Sequence, residues 1–347
     1  EVLATHCQCL LALEEKRFID AYQALGSQLT HYLKIYRAAE KDWVNQPLLV
    51  MVADIRTVSA NADDEMRRKG KTPDKLRDAS TKLTTCFTYS NQAQHGTGKK
   101  AASLSIINEL FKIYFKLNTL HLCNRLIKAV ENPSFQAFEQ FPKAQKVTYK
   151  YYEGRLSVFG DDHVSAEKQL GYALKHCHRS HTSNKRRILR YLIAIRLLSG
   201  KLPSRALLER YNLPEYIQMV EALRYGNIRL LNETLEKHQE ELIRSGTYLI
   251  VEKLKAAVTR TLFKKIHNIY KTLKPPEKAF QLPLSYLQVG MEWSGEHVDL
   301  DEVECILSNL IFRRYVKGYI SHKSRVVVLS KVGAFQPLEA ALLHDPV

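Results

Sequence analysis

The sequence has few of the residues that make turns. Its 14 glycines and 11 prolines are about 7% of the chain, against roughly 12% in an average protein. A fold of many short strands needs a turn after each strand, and glycine and proline form turns most readily. We therefore expect a protein made mostly of long helices.

Cysteine patterns and long apolar runs are also missing. The six cysteines are scattered along the chain and form no disulfide framework, which indicates a reducing compartment. No apolar run reaches the roughly 18 residues that a membrane-spanning helix needs. The chain begins at Glu1 rather than Met, so we expect a fragment whose upstream segment is not seen.

Motifs for catalysis and metal binding are absent as well. The sequence contains no GxSxG, HExxH or GxGxxG. The run Gly96–Lys99, in a predicted loop at Gln94–Gly98, lacks the earlier glycine and the Ser or Thr of a phosphate-binding loop. In His176–His181 only His178 and His181 share a helical face, which is a poor metal-ligand spacing. We expect no enzyme, no cofactor and no metal ion.

Helical periodicity is what the sequence has in abundance, from its start to about Leu273. From Gly154, small and apolar residues follow at Ala166, Leu170 and Ala173, the offsets at which tetratricopeptide (TPR) helices cross closely. The same frame is met in the neighbouring repeats by Phe111, Tyr114, Cys123 and Ile127, and by Ala194, Leu197 and Ala206. We predict a TPR-like helical-hairpin solenoid, with an irregular helical bundle as the alternative.

The pattern changes near the C-terminus. Acidic residues open a helix at Asp299–Val303, where the helix dipole favours negative charge. Two β-rich segments, Val316–Ser321 and Arg325–Ser330, then predict a hairpin. Together with earlier helices at about Thr247–Thr272 and Leu282–Val289, this is the element order of a winged helix.

The predicted fold is therefore mainly α, with two domains and a tail. The helical-repeat solenoid covers residues 1–245, the winged-helix domain residues 246–338, and the tail residues 339–347. Two domains also suit a chain of 347 residues.

Charge is both high and sorted along the chain. Lysine and arginine outnumber aspartate and glutamate by 52 to 36, a net charge of +16. Residues 143–201 hold thirteen basic and four acidic residues, 253–274 hold seven and none, and 313–331 hold six and none. The segment 275–304 is the reverse, with one lysine and seven acids. Basic segments of this kind favour nucleic acid, anionic lipid or an acidic protein as partner.

Cations around the predicted hairpin are the candidate nucleic-acid contacts. Phosphate neutralisation needs grouped cations, and because few would reach base edges we expect weak sequence specificity. The alternative is a solvated wing. The candidates are Arg313, Arg314, Lys317, Lys323, Arg325 and Lys331, with Lys264 and Lys265 on the preceding helix.

A second group interleaves tyrosines with cations and is the candidate partner-binding surface. Such a groove would suit an extended acidic peptide or single-stranded nucleic acid. The alternative is tyrosines packed between helices beside a solvated cationic face. The candidates are Tyr149, Lys150, Tyr151, Arg155, Arg179, Lys185, Arg186 and Arg187.

Several stretches, from about residue 10 to Leu338, are similar to one family. The stretches are Glu109–Leu117, Lys146–Tyr152, His176–Arg179, Asp299–Leu307 and Lys317–His322. They resemble the PCI-domain subunit of the TREX-2 mRNA-export complex, the Thp-type or PCI-domain-containing protein two family. Several of them are specific to this subfamily rather than to PCI domains in general.

The resemblance implies a non-enzymatic scaffold or adaptor subunit of a nuclear-pore-associated mRNA-export complex. It implies pairing with a large Sac-type scaffold through the winged helix. The candidates at its exposed apolar edge are Tyr319, Val326, Val328 and Leu329, and strand alternation requires half of them to face the domain core. It also implies binding of a small acidic DSS/Sem-type protein. The resemblance therefore favours that protein, rather than single-stranded nucleic acid, as the ligand of the tyrosine-rich group. RNA or DNA would lie on the winged helices, and the location would be the nucleus, at nuclear pores, with the cytoplasm second.

The sequence is also compatible with two other function classes. One is a PCI assembly subunit of a proteasome-lid or signalosome-type complex that does not bind nucleic acid. The other, ranked last, is a membrane-surface protein using the basic segment 253–274, whose apolar face a winged-helix core also requires.

Overall fold

The computed structural model describes residues 1–93, 97–275 and 278–342, and most of these residues are helical. The predicted helix-rich fold is confirmed. The chain divides into two compact units, Glu1–Leu156 and a second that begins at Ser157. This division falls inside the predicted solenoid; an array of repeats can divide at a junction because each repeat contacts mainly its neighbours. The predicted loop at Gln94–Gly98 lies outside the described residues at 94–96.

The first unit is a succession of helices that pack on their neighbours in sequence. Its helices are α1 (Val2–Glu14), α2 (Phe18–Ala38), α3 (Asn45–Arg68), α4 (Lys75–Asn91), α5 (Ser103–Lys116), α6 (His121–Glu131) and α7 (Lys143–Phe159), which runs into the second unit. α1 packs on α2, α2 on α3, α3 on α4 and α4 on α5. One buried apolar core extends from Cys9 to Tyr149. Pairwise packing of sequential helices is what a helical-hairpin solenoid requires.

The second unit begins with shorter helices. They are α8 (His163–His176), α9 (Thr182–Leu198), α10 (Arg205–Arg210), α11 (Glu215–Tyr225), α12 (Ile228–Lys237), α13 (Gln239–Ser245), α14 (Tyr248–Glu252) and α15 (Leu254–Leu273). α9 is buried on nearly all sides between Ile188 and Leu198, as expected of an all-round apolar helix. The predicted helix at Thr247–Thr272 is divided at Lys253 into α14 and α15.

The TPR-like frame places most of its residues in the core. Ala166, Leu170 and Ala173 are fully buried on α8, and Gly154 is buried on α7. Ala206 is different, because it is exposed on α10, a helix of six residues whose one buried side chain is Leu208. The prediction that Ala206 packs at a helix crossing is wrong, because α10 turns Leu208 rather than Ala206 toward the core.

The C-terminal part is a winged helix, as predicted. α15 is followed by β1 (Gln281–Pro283), α16 (Leu284–Trp293), α17 (Leu300–Phe312), β2 (Gly318–Ser321), β3 (Val326–Leu329) and, within the predicted tail region, α18 (Leu338–Leu342). The rest of that tail, 343–347, lies outside the described residues. Asp299 and Glu302 form a capping box at the start of α17, which explains the acidic first turn.

The sheet differs from the predicted hairpin by one strand. β1 pairs antiparallel with β3, and the strand order is β1-β3-β2. β3 is therefore central, so Val326, Val328 and Leu329 do not lie on the edge strand. The expected alternation is present, because Leu329 is buried and Val326 and Val328 are half-buried. Tyr319, on the edge strand β2, is 64% exposed. β1 has only three residues and forms by pairing with β3, more than 40 positions later in the chain. Three residues are too few to show the alternation that predicts a strand from sequence.

Among the described residues, no helix combines the length and the apolar character needed to cross a membrane.

Candidate functional site

Four cations at the base of the wing form one group, which we call the wing-base cluster: Arg313, Arg314, Lys317 and Lys331. Arg313 and Arg314 follow the end of α17, and the backbone carbonyl of Lys317 accepts a hydrogen bond from the N–H of Ser330 at 2.9 Å. This bond places Lys317 opposite Ser330 and therefore beside Lys331. All four side chains are exposed. In the described part of the chain Arg314, Lys317 and Lys331 make no ion pair.

Helix geometry explains why the wing-base cluster points outward. α17 ends with Arg314 in the left-handed region, at φ 60°. The N–H of Tyr315 then bonds the carbonyl of Leu310 at 2.9 Å, which closes the helix and turns the chain toward β2. Tyr315 and Val316 are 2% and 1% exposed. Two buried residues thus anchor the segment while the cations on either side face solvent.

The two predicted cations at the tip of the wing are placed differently. Arg325 forms ion pairs through Nη1 with Asp301 and with Glu304, the latter at 3.0 Å. The hydrogen bond to Asp301 is also the main reason that the pKa of Arg325 is raised. Lys323 remains exposed beside it. The six cations of the wing therefore do not form one cluster, and the charge of Arg325 is largely offset by α17.

The exposed face of α17 is acidic rather than basic. Asp301 and Glu304 lie one turn apart on it, and Glu304 also contacts His322 Nδ1 at 3.0 Å. The ligand atoms of Asp301, Glu304 and His322 lie within 4.8 Å of one another, but Arg325 already bridges both carboxylates. Negative charge on this face is electrostatically unfavourable for inserting α17 into a DNA groove as a recognition helix.

The remaining predicted nucleic-acid contacts lie on α15. Lys264 is exposed. The ammonium of Lys265 lies 4.9 Å from the ring centroid of Tyr225, a cation–π contact that holds the side chain against α11. Lys264 is thus the freer of the two to meet an external phosphate.

The predicted partner-binding residues are divided between the two compact units. In the first unit Tyr149 is 2% exposed, with its ring 5.7 Å from that of Phe111 and 5.5 Å from that of Phe138. Tyr149 is therefore a core residue rather than a surface contact, as the alternative at that position held. Burial raises its pKa well above the usual tyrosine range.

The neighbours of Tyr149 are engaged within the first unit as well. Lys150 pairs with Glu153 at 2.8 Å and lies over the rings of Tyr149 and Phe138. The guanidinium of Arg155 lies 4.3 Å from the ring centroid of Phe115 and 5.5 Å from that of Tyr151. These cation–π contacts stabilise the packing of α7, which gives the cations a structural role whether or not a partner binds.

In the second unit the predicted cations border an open cleft of about 930 Å³. Arg186 and Arg187, at the start of α9, line it together with Arg190 and Arg244, and we call it the arginine cleft. Five basic side chains line the cleft against three glutamates: Arg186, Arg187, Arg190, Lys237 and Arg244 against Glu236, Glu240 and Glu241. Lys185 is half-buried and Arg179 is exposed nearby in sequence, and neither lines the cleft.

The arginines of the cleft have unused hydrogen-bonding capacity. The Nε atoms of Arg186 and Arg190 are buried and make no hydrogen bond within the described residues. Arg190 does pair with Glu241 and lies 3.4 Å from Glu215. Arg187 and Arg244 line the cleft with exposed guanidinium groups. A carboxylate or phosphate that entered the cleft could accept their N–H groups, and such charge-assisted bonds are strong.

One buried acid lies behind the arginine cleft. Glu215 is 1% exposed, and neither of its oxygens accepts a hydrogen bond within the described residues. Burial raises the pKa of Glu215, against the opposing effect of its own backbone N–H and of Arg190. A carboxyl with a raised pKa is protonated more readily. Glu215 therefore offsets only part of the positive charge of Arg190.

Arg190 and Arg244 were not among the predicted contact residues. Arg190 lies one helical turn after Arg186, and this i, i+4 spacing is the signal that places both on one face. Arg244 comes from α13, more than 50 residues away in the chain, and nothing local in the sequence connects it to α9.

A known protein family matches the C-terminal region of the chain. The model of the PCI domain family matches residues 235–331, which include the end of α12, α13 to α17 and the wing. The match begins before the predicted winged-helix boundary at residue 246, so it includes helices that precede the wing domain.

Whole-chain relatives extend the match to nearly every residue. "PCI domain-containing protein 2" of Danio rerio is 39% identical over 98% of this chain and 85% of its own length. "Enhanced ethylene response protein 5" of Arabidopsis thaliana is 39% identical over 97% of this chain and 81% of its own. "Protein CSN12 homolog" of Gibberella zeae is 33% identical over 75% of this chain and 61% of its own. With this identity over this length, the chain belongs to the family of PCI domain-containing protein 2.

Proposed function

We propose that this protein is a non-enzymatic scaffold subunit of a TREX-2-type mRNA-export complex at nuclear pores. In that role it pairs with a Sac-type scaffold, holds a small acidic DSS/Sem-type protein and contacts RNA or DNA without sequence specificity. Membership of the PCI domain-containing protein 2 family supports the scaffold role. The resemblance of its sequence stretches to Thp-type subunits supports the choice of complex.

The observation that carries the nucleic-acid part is the wing-base cluster. Arg314, Lys317 and Lys331 are exposed and make no ion pair in the described part of the chain. Phosphate contacts release counterions, so cations without protein partners bind nucleic acid at the lowest cost. The acidic face of α17 and the paired Arg325 direct the strand toward the base of the wing rather than its tip.

The arginine cleft carries the acidic-partner part. Its basic excess and the exposed guanidinium groups of Arg187 and Arg244 suit the side-chain carboxylates of an extended acidic segment. Tyr149 has no part in this, because it is buried in the first unit.

A second candidate function is favoured by one comparison. The similarity to the CSN12 homologue fits a PCI assembly subunit of a CSN12-like complex, without nucleic-acid binding. In that case the wing-base cluster would serve an acidic protein surface.

Binding of a labelled single-stranded RNA, followed by fluorescence anisotropy across a salt series, tests the proposal. We expect binding to persist near physiological salt. In Arg314→Gln/Lys317→Gln/Lys331→Gln it should weaken by about tenfold or more. The slope of log affinity against log salt should fall by about 2, since each phosphate contact on a single strand contributes about 0.7.

A matched control separates local from net charge. Lys34→Gln/Arg68→Gln/Lys71→Gln removes three exposed cations from the first unit and should leave most of the affinity. Lys323→Gln should also have a small effect. Equal losses in both triple variants, or RNA binding that vanishes near physiological salt, would favour the CSN12-like alternative.

A further inference from the structure

Five large apolar side chains are exposed on α15 and α16. Ile269 and Leu273 of α15 are 61% and 68% exposed, and Tyr286, Val289 and Trp293 of α16 are 43%, 63% and 68% exposed. Spacings of three, four and seven residues place each set on a single helical stripe. Single exposed apolar residues are ordinary, but a contiguous patch of them marks an interaction surface.

The two stripes are joined where the helices cross. A Cβ at Gly290 would overlap Cδ1 of Ile266, so the absence of a side chain allows α16 to approach α15 closely. The rings of Tyr270 and Tyr286 lie 5.2 Å apart, edge to face, across the same contact. Ile266 is half-buried and precedes the exposed Ile269 by one helical turn on α15. The exposed residues thus form one two-helix surface, which we call the α15–α16 face.

The charges around the α15–α16 face differ between its two sides. α15 has no acidic residue, and Lys271 and Lys274 are exposed beside Leu273 with no ion pair in the described part of the chain. On the other side α16 has Glu292, exposed beside Trp293, while Glu296 is occupied by Lys255 at 2.9 Å. A partner with acidic residues along the α15 side would therefore be complementary.

We propose that the α15–α16 face is a docking surface for an amphipathic helix of a partner protein. The helix would have apolar residues at i, i+3 or i+4 and i+7, which is how a helix lies along an apolar groove, and acidic residues on the flank that meets Lys271 and Lys274. This surface is separate from the wing-base cluster and from the arginine cleft. An anionic lipid surface fits less well, because Glu292 would face it beside Trp293.

The position of Trp293 provides a direct test in the full chain. Trp43 and Trp293 are the two tryptophans, so Trp43→Phe leaves Trp293 as a reporter within the face. The probe is a synthetic helix of about 18 residues, because shorter helices are marginal in water, with leucines at the stated spacing and glutamates on the flanks. Its binding should shift Trp293 emission to shorter wavelength.

Two pairs of variants test the apolar and the charged parts of the proposal. Leu273→Ser/Val289→Ser should weaken peptide binding by about tenfold or more, while Ile243→Ser/Leu249→Ser, at exposed positions elsewhere in the same unit, should not. Lys271→Glu/Lys274→Glu should make the chain prefer a peptide with lysine flanks. Lys168→Glu/Lys175→Glu, on α8, should leave the preference for glutamate flanks unchanged.

Other occupants of the face would give distinct results. Equal binding of the glutamate- and lysine-flanked peptides, or no loss in Leu273→Ser/Val289→Ser, would overturn the proposal. The proposal would also be overturned if the chain bound anionic vesicles, but not the peptide, through Trp293. Self-association in sedimentation experiments would overturn it too, if Leu273→Ser/Val289→Ser abolished that self-association. RNA affinity of the same variants, which we expect to be unchanged, keeps this test independent of the proposed function.

Discussion

One buried histidine makes the stability of the winged helix depend on pH. His267, on α15, is 4% exposed, and its Nε2 donates a hydrogen bond to the carbonyl of Ala279 at 3.2 Å. Burial is the main cause that lowers the pKa of His267, and the nearby positive charge of Lys271 acts in the same direction. The imidazole is therefore held in its neutral form.

This arrangement predicts that the winged helix loses stability in mild acid. Because the pKa of His267 is lower in the folded than in the unfolded chain, its contribution is fully present above the unfolded value of about 6.5. It is lost as the pH falls from there toward the folded value. At pH 7.5 His267→Gln should cost about 1–2 kcal/mol through lost packing and an altered hydrogen bond.

Urea unfolding of both chains at pH 7.5 and 5.5 measures the effect. The difference in unfolding free energy between native and His267→Gln chains should shrink at the lower pH. A difference that stays the same or grows as the pH falls would contradict the role given to His267.

At the scale of elements, close helix crossings depend on positions without side chains. Gly226 ends α11 in the left-handed region, at φ 68°. A Cβ there would lie 2.6 Å from the backbone nitrogen of Leu262 on α15. Backbone atoms of a packed helix cannot move aside as a flexible side chain can, so this glycine sets how closely α11 approaches the first helix of the winged helix.

Gly226→Ala should therefore cost more than its backbone conformation alone. Gly70 has nearly the same φ, 69°, but nothing lies within 4 Å of a Cβ placed there, so Gly70→Ala should cost only the left-handed penalty of about 1–2 kcal/mol. Gly226→Ala should add a further overpacking cost of about 1–3 kcal/mol. Thermal unfolding followed by circular dichroism compares the stability of the two variants. Equal losses of stability would mean that α11 and α15 can move apart at little cost in free energy.

The wing shows how an element separates charges that are adjacent in sequence. β2 and β3 each have four residues, so the two ends of the hairpin lie about 13 Å apart at the usual rise of a strand. Lys317 and Lys331 stay at one end, while Lys323 and Arg325 are placed at the other, against the acids of α17. The hairpin thus divides one basic segment into a free group and a neutralised one.

Charge also has an organisation at the scale of the whole molecule. Part of the net charge of +16 lies on two surfaces of different kind. The wing-base cluster is exposed, and its Arg314, Lys317 and Lys331 make no ion pair within the described residues, whereas the arginine cleft is concave and mixed with glutamates. The first geometry suits a phosphate chain, and the second suits an extended acidic segment.

This division predicts that a DSS/Sem-type acidic protein stabilises the chain through the arginine cleft. At about 100 times its dissociation constant, the partner should raise the unfolding free energy by about 2.7 kcal/mol. Arg186→Gln/Arg187→Gln should remove most of that gain in a thermal shift measurement at constant salt. Arg205→Gln/Arg210→Gln, at exposed positions on α10, should keep it.

Two results would contradict binding in the arginine cleft. If both double variants lose the gain equally, the partner responds to net charge alone. If neither loses it, the partner binds outside the arginine cleft.

The sequence by itself determined the elements and the family of this protein. Helical periodicity to Leu273, the acidic start of α17 and the β-rich pair before and after the wing turn are local patterns, and local patterns depend on interactions within a few residues. The fold class could be predicted for that reason, and the specific stretches placed the chain among PCI-domain subunits.

Tertiary structure alone decided which predicted residues are available at the surface. β1 exists through its pairing with β3, Tyr149 is enclosed by Phe111 and Phe138, and Arg325 is held by acids on α17. The arginine cleft likewise needs α13 beside α9. Each of these contacts joins residues separated by tens of positions or on different elements, and the periodicity within a short window has no information about which distant segment will pack against it.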